Sequence, residues 1–134
     1  MIQLLPNTAA QVIYMTLKEK VKDLPTFANY LIEFKSQQSQ ATFRIIANVN
    51  TENVRYTKID IGTDTDDAIN GSIQIVNTGF FGYTVYAQNS ETNLDPEDAV
   101  VVGTAEIGLA QVLTQEAFYN LQGGTVPANV IYYE

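Results

Sequence analysis

The chain contains no cysteine, no histidine and no tryptophan. Without cysteine there is no disulfide, no thiolate zinc site and no thiol nucleophile. Without histidine the commonest general base and the commonest transition-metal ligand are missing. Neither a Ser–His–Asp nor a Cys–His centre can be built. A glycosidase-like pair of carboxylates stays open in principle, but no spacing in the sequence points to one. No apolar run approaches the roughly 18 residues of a membrane span. The start, "MIQLLPNTAAQ", lacks the basic n-region and long apolar h-region of a signal peptide. The initial Met is expected to mark a chain made and used without processing. Cations are absent beyond Lys58. All seven (Lys18, Lys20, Lys22, Lys35, Arg44, Arg55, Lys58) face only four acids in residues 1–58, which sum to +3, while residues 59–134 sum to −11. A nucleic acid needs a basic stripe, which this balance does not offer. Net charge of −8 keeps such a chain in solution by self-repulsion; the sharper reading is two oppositely charged ends that meet different neighbours in an assembly.

What is present is alternation. A chain of 134 residues with 46% hydrophobic content fits one domain, 1–134, with a real core. "QVIYMTL" (11–17) is apolar on both faces, which predicts a central strand. "NYLIEF" (29–34) sets Tyr30, Ile32 and Phe34 on one side. "ATFRIIANV" (41–49) groups Phe43, Ile45, Ala47 and Val49, with Arg44 outward. "VRYTKIDIG" (54–62) and "SIQIV" (72–76) continue the rhythm, rich in the β-branched and aromatic residues that strands favour. "VVVGTAEIGLA" (100–110) reads as a strand with Gly103 and Gly108 as candidate bulges, and "NVIYYE" (129–134) as a last strand. "QVLTQEAFYNL" (111–121) suits either a short helix or an irregular strand. The separators are turn chemistry: "KEKVKDLPT" as a charged hairpin tip, "SQQSQ" as a hairpin closure, "TDTDDAING" as an acidic loop, and "NTG" as a tight hairpin. These spacings predict an all-β, antiparallel two-sheet sandwich of seven to nine strands, immunoglobulin-like or fibronectin type III-like.

"GFFGYTVYAQNSETNLDP" (79–96) is the densest stretch. Phe81, Tyr83, Val85 and Ala87 line one face; Gly82, Thr84, Tyr86 and Gln88 line the other. Asn77, Gly79, Phe81 and Tyr83 follow the Asp-x-Gly-x-Tyr-x-Cys rhythm that enters the penultimate strand of immunoglobulin-like sandwiches. Phe81 stands at the tyrosine-corner position and has no hydroxyl, so that hydrogen bond cannot form.

The acidic run Asp60, Asp64, Asp66 and Asp67 misses the EF-hand pattern, because Thr65 and Gly71 stand where Gly and Glu are required. A solvated loop is the simpler reading, and neither metal nor cofactor is expected. The loop holding Glu91, Asn93, Asp95, Pro96 and Asp98, with Glu97, is stiffened by its proline; it reads as a structured surface loop and, functionally, as a partner contact. Lys18, Lys20 and Lys22 form the one cation-rich cluster and are the second candidate contact, for an acidic surface. The tyrosines, including Tyr132 and Tyr133, suit sheet surface and core better than a glycan platform, which would more often use Trp.

Taken over most of its length, the chain resembles a group of small virion proteins of tailed phages of Bacteroidota, including the crAss-like phages. The residues that carry this are "VIYMTLKEK" (12–20), "YLIEFKS" (30–36), "VRYTKIDI" (54–61), "GFFGYTVYAQNSETNLDP" (79–96), "VVGTAEIG" (101–108) and "IYYE" (131–134). Residues 111–128 depart from the pattern. The resemblance implies a non-enzymatic capsid auxiliary, or decoration, protein assembled in the host cytoplasm. It implies many copies on the virion, bound to the major capsid protein or other virion proteins, with head fibres among the possible partners. No nucleic acid and no membrane are expected as partners. A head-fibre or tail adaptor is the alternative in the same class; an immunoglobulin-like carbohydrate-binding module is the alternative in another.

Overall fold

The structure, a computed structural model, describes residues 2–75 and 78–113. Eight strands are seen among them: β1 (Ile2–Leu4), β2 (Gln11–Met15), β3 (Asn29–Ser36), β4 (Thr42–Ile46), β5 (Asn48–Glu52), β6 (Thr57–Ile61), β7 (Gly79–Gln88) and β8 (Val101–Val112). They form a five-stranded sheet in the order β1-β8-β7-β3-β4 and a three-stranded sheet in the order β2-β6-β5. All neighbours are antiparallel except β1, which runs parallel to β8. The chain is therefore an all-β two-sheet sandwich. Its strand order is that of a variable-type immunoglobulin arrangement, with β2, β6 and β5 facing the sheet that contains the β7–β8 and β3–β4 hairpins.

The alternation of β3 and β7 sets the core. Tyr30, Ile32 and Phe34 of β3 and Phe81, Tyr83, Val85 and Ala87 of β7 are all buried, and eight consecutive residue pairs from Asn29–Gln88 to Ser36–Phe81 hold the two strands in register. Opposite them lie Ile13 and Met15 of β2 and Ile59 and Ile61 of β6, joined in one apolar cluster. Phe34 and Tyr83 meet with ring centroids 6.5 Å apart, and Phe81 meets Phe43 at 6.2 Å.

Several expectations change. β2 is not central: it is the edge of the small sheet, and Val12 and Tyr14 are exposed on it. Two apolar faces do not prove a strand to be buried on both sides, because a surface can carry Val and Tyr. The 41–49 run is two strands. Ala47 still donates its N–H to the Tyr30 carbonyl, but Asn48 already pairs with Asp60 of the other sheet. One residue thus carries the chain across the sandwich corner, and Val49 lies exposed on β5 rather than beside Ile45. The 54–62 strand begins only at Thr57, since the Asn53 side chain accepts the Arg55 and Tyr56 N–H groups in a turn. Residues 72–75 make isolated bridges at Ser72 but no strand; the expected tight hairpin at 77–79 falls partly outside the described residues. Residues 18–26 join strands of different sheets and form no hairpin tip. The register of β8 slips opposite Val85/Tyr86 and Ala87/Gln88, which places the extra residues at Ala105 and Val102 rather than at either glycine. Gly108 serves a different purpose. A Cβ there would meet the Tyr83 hydroxyl at 2.7 Å, so glycine makes room for the tyrosine to lie across β8. The expectations for 114–121 and for the last strand at 129–134 lie outside the described residues.

The two faces of β7 predict opposite responses to a one-site change. Val85→Ala, at a fully buried position, is expected to lower unfolding free energy by about 1–3 kcal/mol through lost burial and a residual cavity. Gly82→Ala, with open space around the added methyl, should stay within about 0.5 kcal/mol of the parent. Urea denaturation with a common slope checks both; equal losses would mean that the inward face is misassigned.

Candidate functional site

The loops that carry the two sequence-derived contact clusters adjoin. Residues 16–28 join β2 to β3, and residues 89–100 join β7 to β8. The Ala28 N–H donates to the Gln88 carbonyl at 2.9 Å, and Leu24 packs where a side chain on Gly103 would sit. Lys20 reaches β8 and pairs with Glu106. The opposite charges of the two sequence halves are therefore not opposite ends of the molecule. β7 and β8 from the acidic half lie in one sheet with β3 and β4 from the basic half, and Lys20 of the basic half pairs with Glu106 of the acidic half.

The 89–100 loop is built from its own polar groups. Gln88 is fully buried, and alternation alone would have placed its amide in solvent. Its Nε2 donates to Asn29 Oδ1 and to the Asn93 carbonyl, while its Oε1 accepts from Asn93 Nδ2 at 2.9 Å. Asn93 Oδ1 accepts the Asp95 N–H, Asp95 Oδ1 accepts the Glu97 N–H, and Asp98 Oδ1 accepts the Val100 N–H. Ser90 Oγ takes the Thr92 and Asn93 N–H groups. These Asx- and Ser-type turns fix the backbone around Pro96. Of the predicted contacts, Asn93, Asp95 and Asp98 are thus occupied in holding the loop. Among the described residues, Glu91 and Glu97 have no hydrogen-bonded or ion-paired side-chain partner, and both are exposed. Glu97 is the better contact candidate than Asp98, which the sequence could show only through Asx-turn spacing. In the basic loop Lys20 is committed to Glu106, whereas Lys18 and Lys22 are exposed and unpaired among the described residues.

A tyrosine–carboxylate contact supports this end. Tyr83 donates its hydroxyl to Glu106 Oε2 at 2.7 Å, so the two Glu106 oxygens face Tyr83 and Lys20 separately. A second such contact links the sheets: Tyr30 of β3 and Thr57 of β6 both donate to Glu52 Oε2 of β5, at 2.7 and 2.9 Å. Burial, reinforced by the accepting carboxylate, pushes both phenols well above their ordinary range. Burial raises Tyr86 as well.

The Asp60–Asp67 run is spread over local acceptor roles. Asp60 Oδ2 accepts from Asn50, Asp66 Oδ1 from the Gln74 N–H, and Asp67 from Asn70 Nδ2. Among the described residues no group of three acids is placed to hold a metal ion. At the opposite end of the β3–β7 pair lies an open cleft of about 380 Å³. Its rim carries Ser36, Gln38, Ser39, Gln74 and Thr78 over Phe43, Ile75 and Phe81, and among the described residues no charged side chain lines it. Local sequence carries no sign of this cleft, because it joins the 37–41 turn to Gln74, Ile75 and Thr78 across the fold.

No family model, no curated protein and no solved structure matches this chain.

Two measurements follow from these contacts. Asn93→Ala should cost about 1–3 kcal/mol, since it strips partners from a buried amide; hydrogen exchange should quicken at residues 89–100 and stay slow in β3. Stability should also fall as pH rises above about 10, the unfolded tyrosine value. A phenol whose folded value is raised holds its proton more tightly when folded, so its contribution is complete below about 10 and is lost as pH climbs toward the folded value. Absorbance titration of the phenolate should show Tyr30 and Tyr83 ionising only with unfolding. All the tyrosines titrating together near the unfolded value in the folded chain would contradict this.

Proposed function

We propose that the chain is a non-enzymatic structural protein of a tailed-phage virion, an auxiliary or decoration protein held in many copies on the capsid shell. The observation that supports this most is the pre-ordered 89–100 loop. Its backbone is fixed by Gln88, Asn93, Asp95 and Asp98, so presenting Glu91 and Glu97 to a neighbour costs little further ordering. Lys18 and Lys22 lie on the adjoining loop and add the opposite sign to the same end. Such a two-sign surface favours one docking orientation, and weak contacts repeated over a lattice become strong in aggregate. The resemblance at residues 79–96 supplies the virion context.

A carbohydrate-binding module is the second reading, and the uncharged cleft favours it. The rings beneath that cleft argue against it, because Phe81 is only 5% exposed and offers little face for a sugar to stack on.

The test is add-back to particles that lack the chain. The parent protein should saturate them, with copy number read by quantitative mass spectrometry. Glu91→Lys with Glu97→Lys should leave the fold intact and lower occupancy at least tenfold. Asp95→Asn and Asp98→Asn, which keep the loop acceptors, should have smaller effects. Failure of the parent itself to bind any particle would overturn the virion assignment; parent-like occupancy of the double variant would overturn the loop's part in it.

A further inference from the structure

The chain contains a single Asn-Gly pair, Asn70–Gly71. Asparagine is chemically labile, and most so before glycine, where no side chain hinders the following amide nitrogen from reaching the asparagine Cγ. The fold requires this glycine. Gly71 has a φ of 84°, in the left-handed region. A Cβ there would also meet the Ile46 carbonyl oxygen and Asn48 Cβ, each at 3.2 Å. The Gly71 carbonyl accepts the Gly62 N–H at 3.2 Å. The turn therefore rests on the corner where the chain passes from β4 to β5, and on the residue that follows β6.

The same turn holds the labile pair shut. Asn70 ends a 3-10 turn, Ala68–Asn70, that Asp67 begins. Both carboxylate oxygens of Asp67 accept from Asn70 Nδ2, at 2.9 and 3.1 Å. The Asn70 N–H donates to the Asp67 carbonyl at 3.0 Å. The Gly71 N–H, the group that would attack, donates to the Ala68 carbonyl at 3.2 Å. Asp67 and Ser72 exchange a further pair of backbone bonds, at 3.0 and 3.1 Å. Ring closure needs Asn70 to leave its helical dihedrals and the Gly71 N–H to give up its acceptor. Asn70 is exposed, so burial does not protect it; these bonds do.

We propose that Asn70–Gly71 is a latent site of spontaneous deamidation, kept closed by the Asp67 clamp and used when the turn opens. In the open state hydroxide removes the Gly71 amide proton, and the nitrogen attacks Asn70 Cγ. The new C–N bond closes a succinimide as the Cγ–Nδ2 bond breaks, and ammonia leaves with a proton from water. Water then opens the ring at either carbonyl and leaves aspartate or isoaspartate at position 70. Either product removes the Nδ2 donor and sets a carboxylate against Asp67, a like charge that opposes re-forming the turn. The change does not reverse, so each event loosens the β4–β5 corner permanently. This inference is independent of the virion reading.

Peptide mapping of the full chain by mass spectrometry, during incubation at mildly alkaline pH, follows conversion at this pair. The folded parent should convert at least about tenfold more slowly than the same chain in urea, since only the opened fraction reacts. Asp67→Ala should raise the folded rate several-fold. Asp67→Asn, which keeps one acceptor oxygen, should fall between it and the parent, and supplies the reading should the alanine variant fold poorly. Hydrogen exchange on Asn70→Asp, a mimic of one product, should quicken at residues 67–73 and stay slow in β3. Equal rates in the folded and urea-unfolded parent would overturn the proposal. Folded Asp67 variants that convert as slowly as the parent would overturn the clamp, and parent-like exchange in Asn70→Asp would overturn the loosening of the corner.

Discussion

The pairing of β3 with β7 is the constraint on which the rest of the molecule depends. Eight residue pairs in unbroken register decide which side chains face inward, and a slip of one residue would turn every one of them out. The same register fixes the ends. At Asn29–Gln88 it brings together the two loops that carry the charged contact candidates; at Ser36–Phe81 it leaves the uncharged cleft. It also aims Tyr83 across β8, where Gly108 gives way and Glu106 accepts the hydroxyl. A backbone pairing thus sets a carboxylate position that in turn receives Lys20 from a different loop.

Carboxylates that receive buried phenols hold position. Glu52 and Glu106 each accept from a buried phenol, and the phenols are driven further toward their neutral form by the arrangement. Such contacts lock sheets and loops to each other at modest net stabilisation per bond, of the order of 1 kcal/mol.

Much of this was legible in the sequence. The inward faces of β3 and β7, the hairpin at 36–41 and the ordered acidic loop all follow from period-two alternation and turn chemistry. What was hidden is long-range. Nothing local distinguishes an edge strand with Val12 and Tyr14 on its surface from a central one. Nothing near Ala47 announces a change of sheet, because the alternation continues through it. Ile2 and Leu4 alternate around Gln3, but so short a strand just before a proline does not stand out. Gln88 looked solvated and is buried, since its partners Asn29 and Asn93 become neighbours only after folding. Sequence brought Glu91, Asn93, Asp95 and Asp98 together as one group; only the hydrogen bonds separate the residues that build the loop from those free to meet a partner.

A reconstruction of virions from the source of this chain tests the central claim most directly. The account predicts an immunoglobulin-like sandwich repeated over the particle surface, with residues 16–28 and 89–100 turned toward a neighbouring virion protein. Density for the sandwich with that end pointing into solvent, or particles without the chain at all, would contradict it.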